Sequence, residues 1–519
     1  MKKVFAALFC TFLSFVVYSY EYQITDVKYD ITGCGAKIWG KTQDYVLNNE
    51  VSVNKKKVFE TEEDFLEYIE DYKQRLVNTR AFEEINVDYS VTEPDTQTNI
   101  CNVTLFVTVK DSFRLFVIPG PKYDSNSGLI LKIKLKDSNF LGSLNTLSSD
   151  IYFLLPTSES DGNNFELGLN CNFDYPFNAG IFDATWINDL GLSFTIGNER
   201  PEFNFTTGLK LSLPFDKTSI VFELDQQIVN DYSYKEFKDS LYFVEGFNIS
   251  VPFTLVQSKH LGNLVYKPYS KVNVNWDING INKLNSDLSS PVMTIGHKLS
   301  FGRIDWDENL RTGLSATLDN YYTYNFQRNT FYPIIAAETQ LHKSFQIFED
   351  FPLFNHIGFS SSLYAFTFMF DPQKDKYIFN DGLKIGSYLR GIRDSQDYAG
   401  TNVNSLNTTS AIVFNFDVPL RIIKTNFKHQ FLNFDWQMSP FFDAALCYNK
   451  ITKKYFDLKD GFYGAGLEMI VYPVKWSGIT IRASVGIDVG RKFFSNYINT
   501  DWRENTSKKE LSLGFGLHY

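Results

Sequence analysis

LSLGFGLHY, residues 511–519, closes the chain. Leu511, Leu513, Phe515, Leu517 and Tyr519 alternate with Ser512, Gly514, Gly516 and His518, so one face is apolar and the other small or polar. The same period of two runs upstream. Ile479, Ile481, Ala483, Val485, Ile487 and Val489 alternate with Thr480, Arg482, Ser484, Gly486 and Asp488, and Ile412, Phe414, Phe416 and Val418 alternate with Val413, Asn415 and Asp417. Val272, Val274, Trp276 and Ile278 alternate with polar partners, as do Leu131, Ile133 and Leu135 with Lys132, Lys134 and Lys136. Polar stretches such as 157–164 and 395–408 separate these strands. From Phe113 onward the chain reads as a long β meander with no helix after Arg80.

The 519 residues carry a net charge of −10, with 44% hydrophobic and 21% charged residues. This excludes wholesale disorder, and the acidic balance argues against a nucleic-acid partner. Mean hydropathy is −0.21, and beyond the N-terminus no run approaches the roughly 18 apolar residues of a membrane helix. A barrel can still span a membrane, because its strands hide half their polarity in the lumen. Two architectures compete: a transmembrane barrel and a secreted set of β-sandwich domains. The chain end favours the barrel, since a final strand with one apolar face and an aromatic terminus resembles the C-terminal signal of outer-membrane barrels. Aromatics at 17% fit interfacial girdles, although a general bias toward Phe and Tyr gives the same number. Roughly 400 residues at about 25 per strand and connection give about 16 strands, with about 14 or about 18 inside the same arithmetic. The expected fold class is mainly β: a transmembrane antiparallel β-barrel over 112–519, preceded by a small α/β domain over 20–111.

Residues 1–19 read as a signal peptide. Lys2 and Lys3 precede an apolar core from Val4 to Val17, and Val17 and Ser19 suit a cleavage site before Tyr20. The alternatives are an anchoring helix, for which the core is short, and lipidation at Cys10, which Phe9 disfavours. Cys34, Cys101, Cys171 and Cys447 show no metal-like spacing, and the six histidines form no HExxH, so no metal or cofactor is expected. Cys34 and Cys101 fall in one small domain, where a disulfide and two free thiols are equally compatible with the sequence. With no GxSxG and no acid–base histidine constellation, no catalytic residue is expected and the chain does not read as an enzyme.

Residues 22–31 read as a strand, followed by a weak helix over 42–48. Thr61 then caps a second helix, with Glu62, Glu63 and Asp64 in its first turn and Phe65, Ile69, Tyr72 and Leu76 on one face. Ile85, Val87, Tyr89 and Val91 alternate, turn, and pair with Val103, Leu105, Val107 and Val109 as a hairpin. This β-α-α-β-β order, with the segment LVNTRAFEEINVDYSV (76–91), resembles a POTRA domain, a periplasmic module of outer-membrane assembly and secretion proteins.

Four further segments resemble the BamA/TamA outer-membrane assembly family, which also includes two-partner-secretion transporters. DSNFLG (137–142) is similar to an early Asn-Phe-x-Gly turn, placed after the first barrel strand. LRGI (Leu389, Arg390, Gly391, Ile392) resembles the Val-Arg-Gly-Phe/Tyr motif of the sixth extracellular loop. FFDAA (441–445) resembles a Phe-x-Asp-x-Gly strand motif, and GAGLEMIVYP (464–473) with IRASVGIDVG (481–490) resembles the closing strands. The resemblance implies that the loop folds into the lumen and that Arg390 pairs with Asp443, a pair whose two charges should be exchangeable. Ile392 stands for the usual aromatic, Ala445 for Gly, and Asn415 matches the position of a frequent carboxylate. The resemblance also implies a seam between the strand near 129–136 and the last strand, weakened at Gly514 and Gly516 and ending on Tyr519. It implies insertion or translocation of polypeptides without a catalysed reaction. The implied location is the bacterial outer membrane, with the N-terminal domain in the periplasm. Implied partners are the lipid bilayer, unfolded or extended polypeptide clients, and periplasmic chaperones or accessory lipoproteins. The rival reading is a solute channel or a surface-exposed adhesion barrel.

Overall fold

Strand propensity and period-two patterning carry most of this chain into β structure. The computed structural model describes residues 20–33, 40–95, 99–124, 128–155, 165–197, 200–215, 217–231, 240–258, 261–277, 288–347, 353–369, 382–392, 407–428, 433–449, 452–474, 480–498 and 509–515. Residues 1–19, expected to be a signal peptide, Cys34 (and with it the disulfide question), Gly516 and Tyr519 lie outside the described residues. The chain divides into two compact units, Met1–Asp111 and Ser112–Tyr519.

The first unit contains β1 (Glu21–Thr32), α1 (Asp44–Glu50), β2 (Val58–Phe59), α2 (Glu62–Asn78), β3 (Phe82–Val91) and β4 (Ile100–Asp111). Its sheet order is β2-β1-β4-β3, with β1 parallel and β3 antiparallel to β4. Thr61 Oγ1 accepts the Asp64 amide at 3.0 Å and caps α2. The helix turns Phe65, Ile69, Tyr72 and Leu76 inward, and Phe65 and Ile69 share a core with Ile24, Phe59, Val103 and Leu105. Each fully buried aliphatic or Phe side chain contributes about 1.5–3 kcal/mol, so this face holds the helix on the sheet. Cys101 is buried in β4, and burial raises its thiol pKa. Long strand β3 forms an edge of the sheet, with Tyr89 and Val91 exposed.

The second unit is an antiparallel meander. Its first half contains β5 (Leu115–Asp124), β6 (Gly128–Asp137), β7 (Leu147–Leu155), β8 (Glu166–Ala179), β9 (Phe182–Thr195), β10 (Glu202–Pro214), β11 (Ser219–Asn230), β12 (Leu241–Ser250), β13 (Phe253–Ser258) and β14 (Gly262–Trp276). It continues through β15 (Val292–Asp307), β16 (Leu310–Asn325), β17 (Thr330–Gln346), β18 (His356–Phe368), β19 (Leu383–Lys384), β20 (Asn407–Thr408), β21 (Ser410–Asp417) and β22 (Leu420–Lys424). The last elements are β23 (Phe434–Asn449), β24 (Lys454–Tyr455), β25 (Phe462–Pro473), β26 (Ile481–Asp488), α3 (Val489–Phe493) and β27 (Lys509–Phe515). All except β19, β20 and α3 join one closed barrel, in which β27 neighbours β5.

Twenty-one segments enter that closed order. β12 and β13 are one strand interrupted at Pro252, since both pair with β14. β21 and β22 are likewise one strand interrupted at Pro419, both pairing with β23, and β24 is a two-residue ribbon on β23. Subtracting one for each of these three cases leaves eighteen strands among the described residues, against the about 16 expected from chain length.

Two local expectations are corrected. The first barrel strand is β5, so DSNFLG follows the second strand, not the first. Pro119, Gly120 and Pro121 lie inside β5, and their low strand propensity conceals it in the sequence. A helix does follow Arg80: α3 is five residues long and capped by Asp488, whose Oδ1 accepts the Arg491 amide at 2.9 Å.

The strand faces differ in chemistry. Leu131, Ile133, Ile151, Leu167, Leu224 and Leu341 point outward and are about half exposed. The alternate residues meet on the inner face, where Asn170 Nδ2 donates to Asp150 at 3.0 Å and the Tyr269 hydroxyl donates to Asp319 at 2.9 Å. Tyr152 lies over Gly168, where an added Cβ would come within 2.0 Å of its ring. The wall is therefore apolar outside and polar inside.

Candidate functional site: a loop docked on the inner wall

One row of hydrogen-bonded neighbours organises the site. Across the sheet, Asp417 pairs with Phe441, Phe441 with Gly466, Gly466 with Gly486 and Gly486 with Glu510. Residues 382–392, in the connection between β18 and β21, lie along this row. Leu383 and Lys384 pair with Thr408 and Asn407, which ties the two ends of the connection together. Ile385, Leu389 and Ile392 are buried in a core shared with Ile334, Phe366, Val413, Ala445 and Phe462. Ile392 thus fills an apolar site that needs no aromatic ring.

The loop tip delivers Arg390 into this row. Its Nε and Nη2 donate to Asp443 at 2.9 and 2.8 Å, and its backbone amide donates to the same carboxylate at 2.8 Å. Nη1 and Nη2 also donate to Asp417 at 2.8 and 3.1 Å. Nη1 reaches Glu468 at 3.4 Å, and Arg482 stands 3.6 Å from that same carboxylate. The guanidinium lies over the Phe441 ring at 3.9 Å. Arg390 is 5% exposed and Asp443 0%. Such a bidentate, desolvated arrangement matches the guanidinium fork, which a lysine ammonium lacks. Burying charge is expensive and does not by itself argue for high stability. Here it fixes where the loop sits.

Glycines make room for the tip. A Cβ on Gly464 would fall 2.1 Å from the Arg390 carbonyl oxygen, and one on Gly486 would fall 2.6 Å from the Gly391 Cα. Gly391 itself has φ +78, and a Cβ there would meet the Ile487 amide nitrogen at 2.7 Å. Its amide donates to Glu510 Oε2 at 2.6 Å, so the tip is bonded to the last strand. Asn415 does not reach Arg390 through any hydrogen bond described; its Nδ2 donates to the Tyr388 carbonyl at 2.6 Å and its Oδ1 accepts from Ser362 at 3.0 Å.

The structure therefore brings Leu389, Arg390, Gly391, Ile392 and Asp443 together. It adds Phe441, the first residue of the FFDAA segment, and Asp417, Glu468 and Glu510, which sequence reasoning did not single out. Strand parity puts Asp417 on one face with Val413 and Asn415, but parity alone does not place it beside Arg390. Arg114, 1% exposed, lies 3.5 Å from Asp137 in the DSNFLG turn, a buried contact equally absent from the sequence-based set. At the closure, Gly514 pairs with Arg482 in β26. The strand beside β27 is β5, not the strand near 129–136, so the proposed seam moves by one strand.

No family model matches the sequence, and no curated protein matches it. Among solved structures, the chain is similar to CdiB from Acinetobacter baumannii at 12% identity, with a TM-score of 0.46 over 95% of this chain and 73% of that one. It is also similar to CdiB from Escherichia coli at 10% identity, with a TM-score of 0.48 over 94% and 75% of the two chains. BamA from Haemophilus ducreyi lacking POTRA domains 1-3 is similar at 12% identity, with a TM-score of 0.35 over 94% and 83%.

Proposed function

We propose that this chain is an outer-membrane β-barrel of the BamA/TamA kind that inserts or translocates polypeptides without catalysing a reaction. The observation that carries the reading is the loop tip of Leu389, Arg390, Gly391 and Ile392 bound to Asp443 on the inner wall. The membrane location draws on the outward apolar face, which would otherwise expose a broad hydrophobic surface to water. It also draws on the connections: those at the end where β5 begins include the tight turns at 180–181 and 308–309, whereas the opposite end carries 277–291 and 369–409. Residues 1–19 act as the export signal and 20–111 as a POTRA-like periplasmic module.

The module offers edge strand β3 to an extended client by strand addition. The seam lies between β5 and β27. Pro119 and Pro121, both inside β5, each lack an amide donor. Gly514 in β27 lacks a side chain to pack. The wall opens sideways at this point, with opening brief or occupied because bare strand edges are costly in lipid. The test is conditional depletion followed by quantification of all other outer-membrane barrels and of exported proteins. A broad fall in folded barrels marks an insertase; loss of one or a few exported proteins marks a dedicated translocator. No change in either overturns polypeptide handling in favour of a channel or adhesion barrel.

A further inference from the structure

The turn between β15 and β16 does not stay on the barrel rim. Its residues bond to strands that are not its neighbours, since β17 and β18 stand between β16 and the β22–β23 pair in the barrel order. At about 4.8 Å per strand, that separation is about 14 Å along the wall. Yet Asn309 Nδ2 donates to Asp435 at 2.9 Å, and the Asn309 carbonyl accepts from Gln437 at 3.1 Å. Glu308 pairs with Arg421 at 2.5 Å and with Lys424 at 3.4 Å. Arg421 also pairs with Asp435 at 3.0 Å and contacts His356 at 2.9 Å. The turn therefore folds inward across the mouth. The wall accommodates it at Gly358, where a Cβ would meet Pro419 at 2.9 Å and the Leu310 side chain at 3.4 Å. Leu310 is buried as a result. From the opposite end, the Arg390 loop approaches the same region, and Asn309, Arg311, Arg390, Asp417, Gln437 and Glu468 line one small cavity.

We propose that this turn is a releasable closure of the barrel mouth at the end where β5 begins, separate from the Arg390 loop, and that lifting it admits small ions to the lumen. The two closures differ in solvation. Around Arg390 both partners of each ion pair are buried, whereas the turn's own Glu308 is close to half exposed, as is Lys424, and only the wall residues Arg421 and Asp435 that it meets are buried. Partly hydrated ion pairs are weak and screened by salt, so the turn is the closure that yields first. The proposal rests on the chain being a membrane-spanning barrel, but not on its handling polypeptides.

The experiment is single-channel recording of the full chain in planar bilayers of a zwitterionic lipid in potassium chloride. It compares the unaltered protein, Glu308→Gln with Asn309→Ala, and Arg390→Ala as a separate probe of the loop. The turn variant should spend about tenfold more time conducting, the effect expected for losing one or two net hydrogen bonds. Raising the salt should increase open time in the unaltered protein and have less effect in the turn variant, a readout that needs no variant to fold. Equal open time in the turn variant and the unaltered protein, with no salt effect on gating, overturns the closure. Silence from all three versions overturns the membrane-spanning reading and the closure with it. Conductance with normal gating but no client phenotype on depletion overturns polypeptide handling as well as the closure, whereas altered gating without a client phenotype leaves the closure standing.

Discussion

At the scale of single residues, the Arg390 environment changes what a charge exchange should do. A lone pair could be swapped, but Asp417 and Glu468 also contact this guanidinium. Arg390→Asp with Asp443→Arg would place a new carboxylate beside two existing ones. The double variant is therefore expected to be no more stable than either single variant, each losing roughly 3–5 kcal/mol for an uncompensated buried charge. The midpoint of heat-modifiable mobility on gels measures this, and recovery in the double variant would show that Asp443 alone matters. Gly391→Ala should lower the same midpoint, because a left-handed non-glycine residue costs about 1–2 kcal/mol before the overlap with Ile487 is counted. Arg390 and Asp443 were legible because two weak motifs occur in a fixed order. Asp417 and Glu468 were not, since a solitary carboxylate in a strand gains meaning only once register places it beside a charge.

At the scale of elements, alternation was a sound guide wherever side chains dominate the strand signal, as in β6, β21 and β26. It failed where the backbone chemistry of particular residues masks that signal. β5 is interrupted by Pro119 and Pro121, and α3 is held by one cap and too short to show helical periodicity. In the first unit, the cap at Thr61 and the buried face of α2 were readable from spacing alone, whereas two-residue β2 was not. Strand β3 yields a prediction of its own. Val91 is exposed at the end of this edge, so Val91→Lys should change stability by no more than about 0.5 kcal/mol. If β3 receives clients, the lysine should reduce photo-crosslinking of clients to neighbouring β3 positions several-fold. Unchanged crosslinking would remove β3 as the receiving edge.

At the scale of the whole molecule, length arithmetic came close to the strand number but could not settle it, because connection lengths at the two ends differ so much. Tight turns such as 180–181 free enough chain for a further hairpin. The closure between β5 and β27 also carries a prediction: disulfides engineered across it should abolish client assembly reversibly, with activity returning on reduction. Full activity in the oxidised form would eliminate sideways opening. The Gly391 amide finds its acceptor on Glu510 in β27, the strand that neighbours β5 where the wall closes. The two bonded residues are 119 positions apart in the sequence, so the loop's docking site joins distant parts of the chain. A wall open at β27 would keep the carboxylates that hold Arg390 but lose the acceptor of the Gly391 amide, so the loop senses whether the wall is closed beside it.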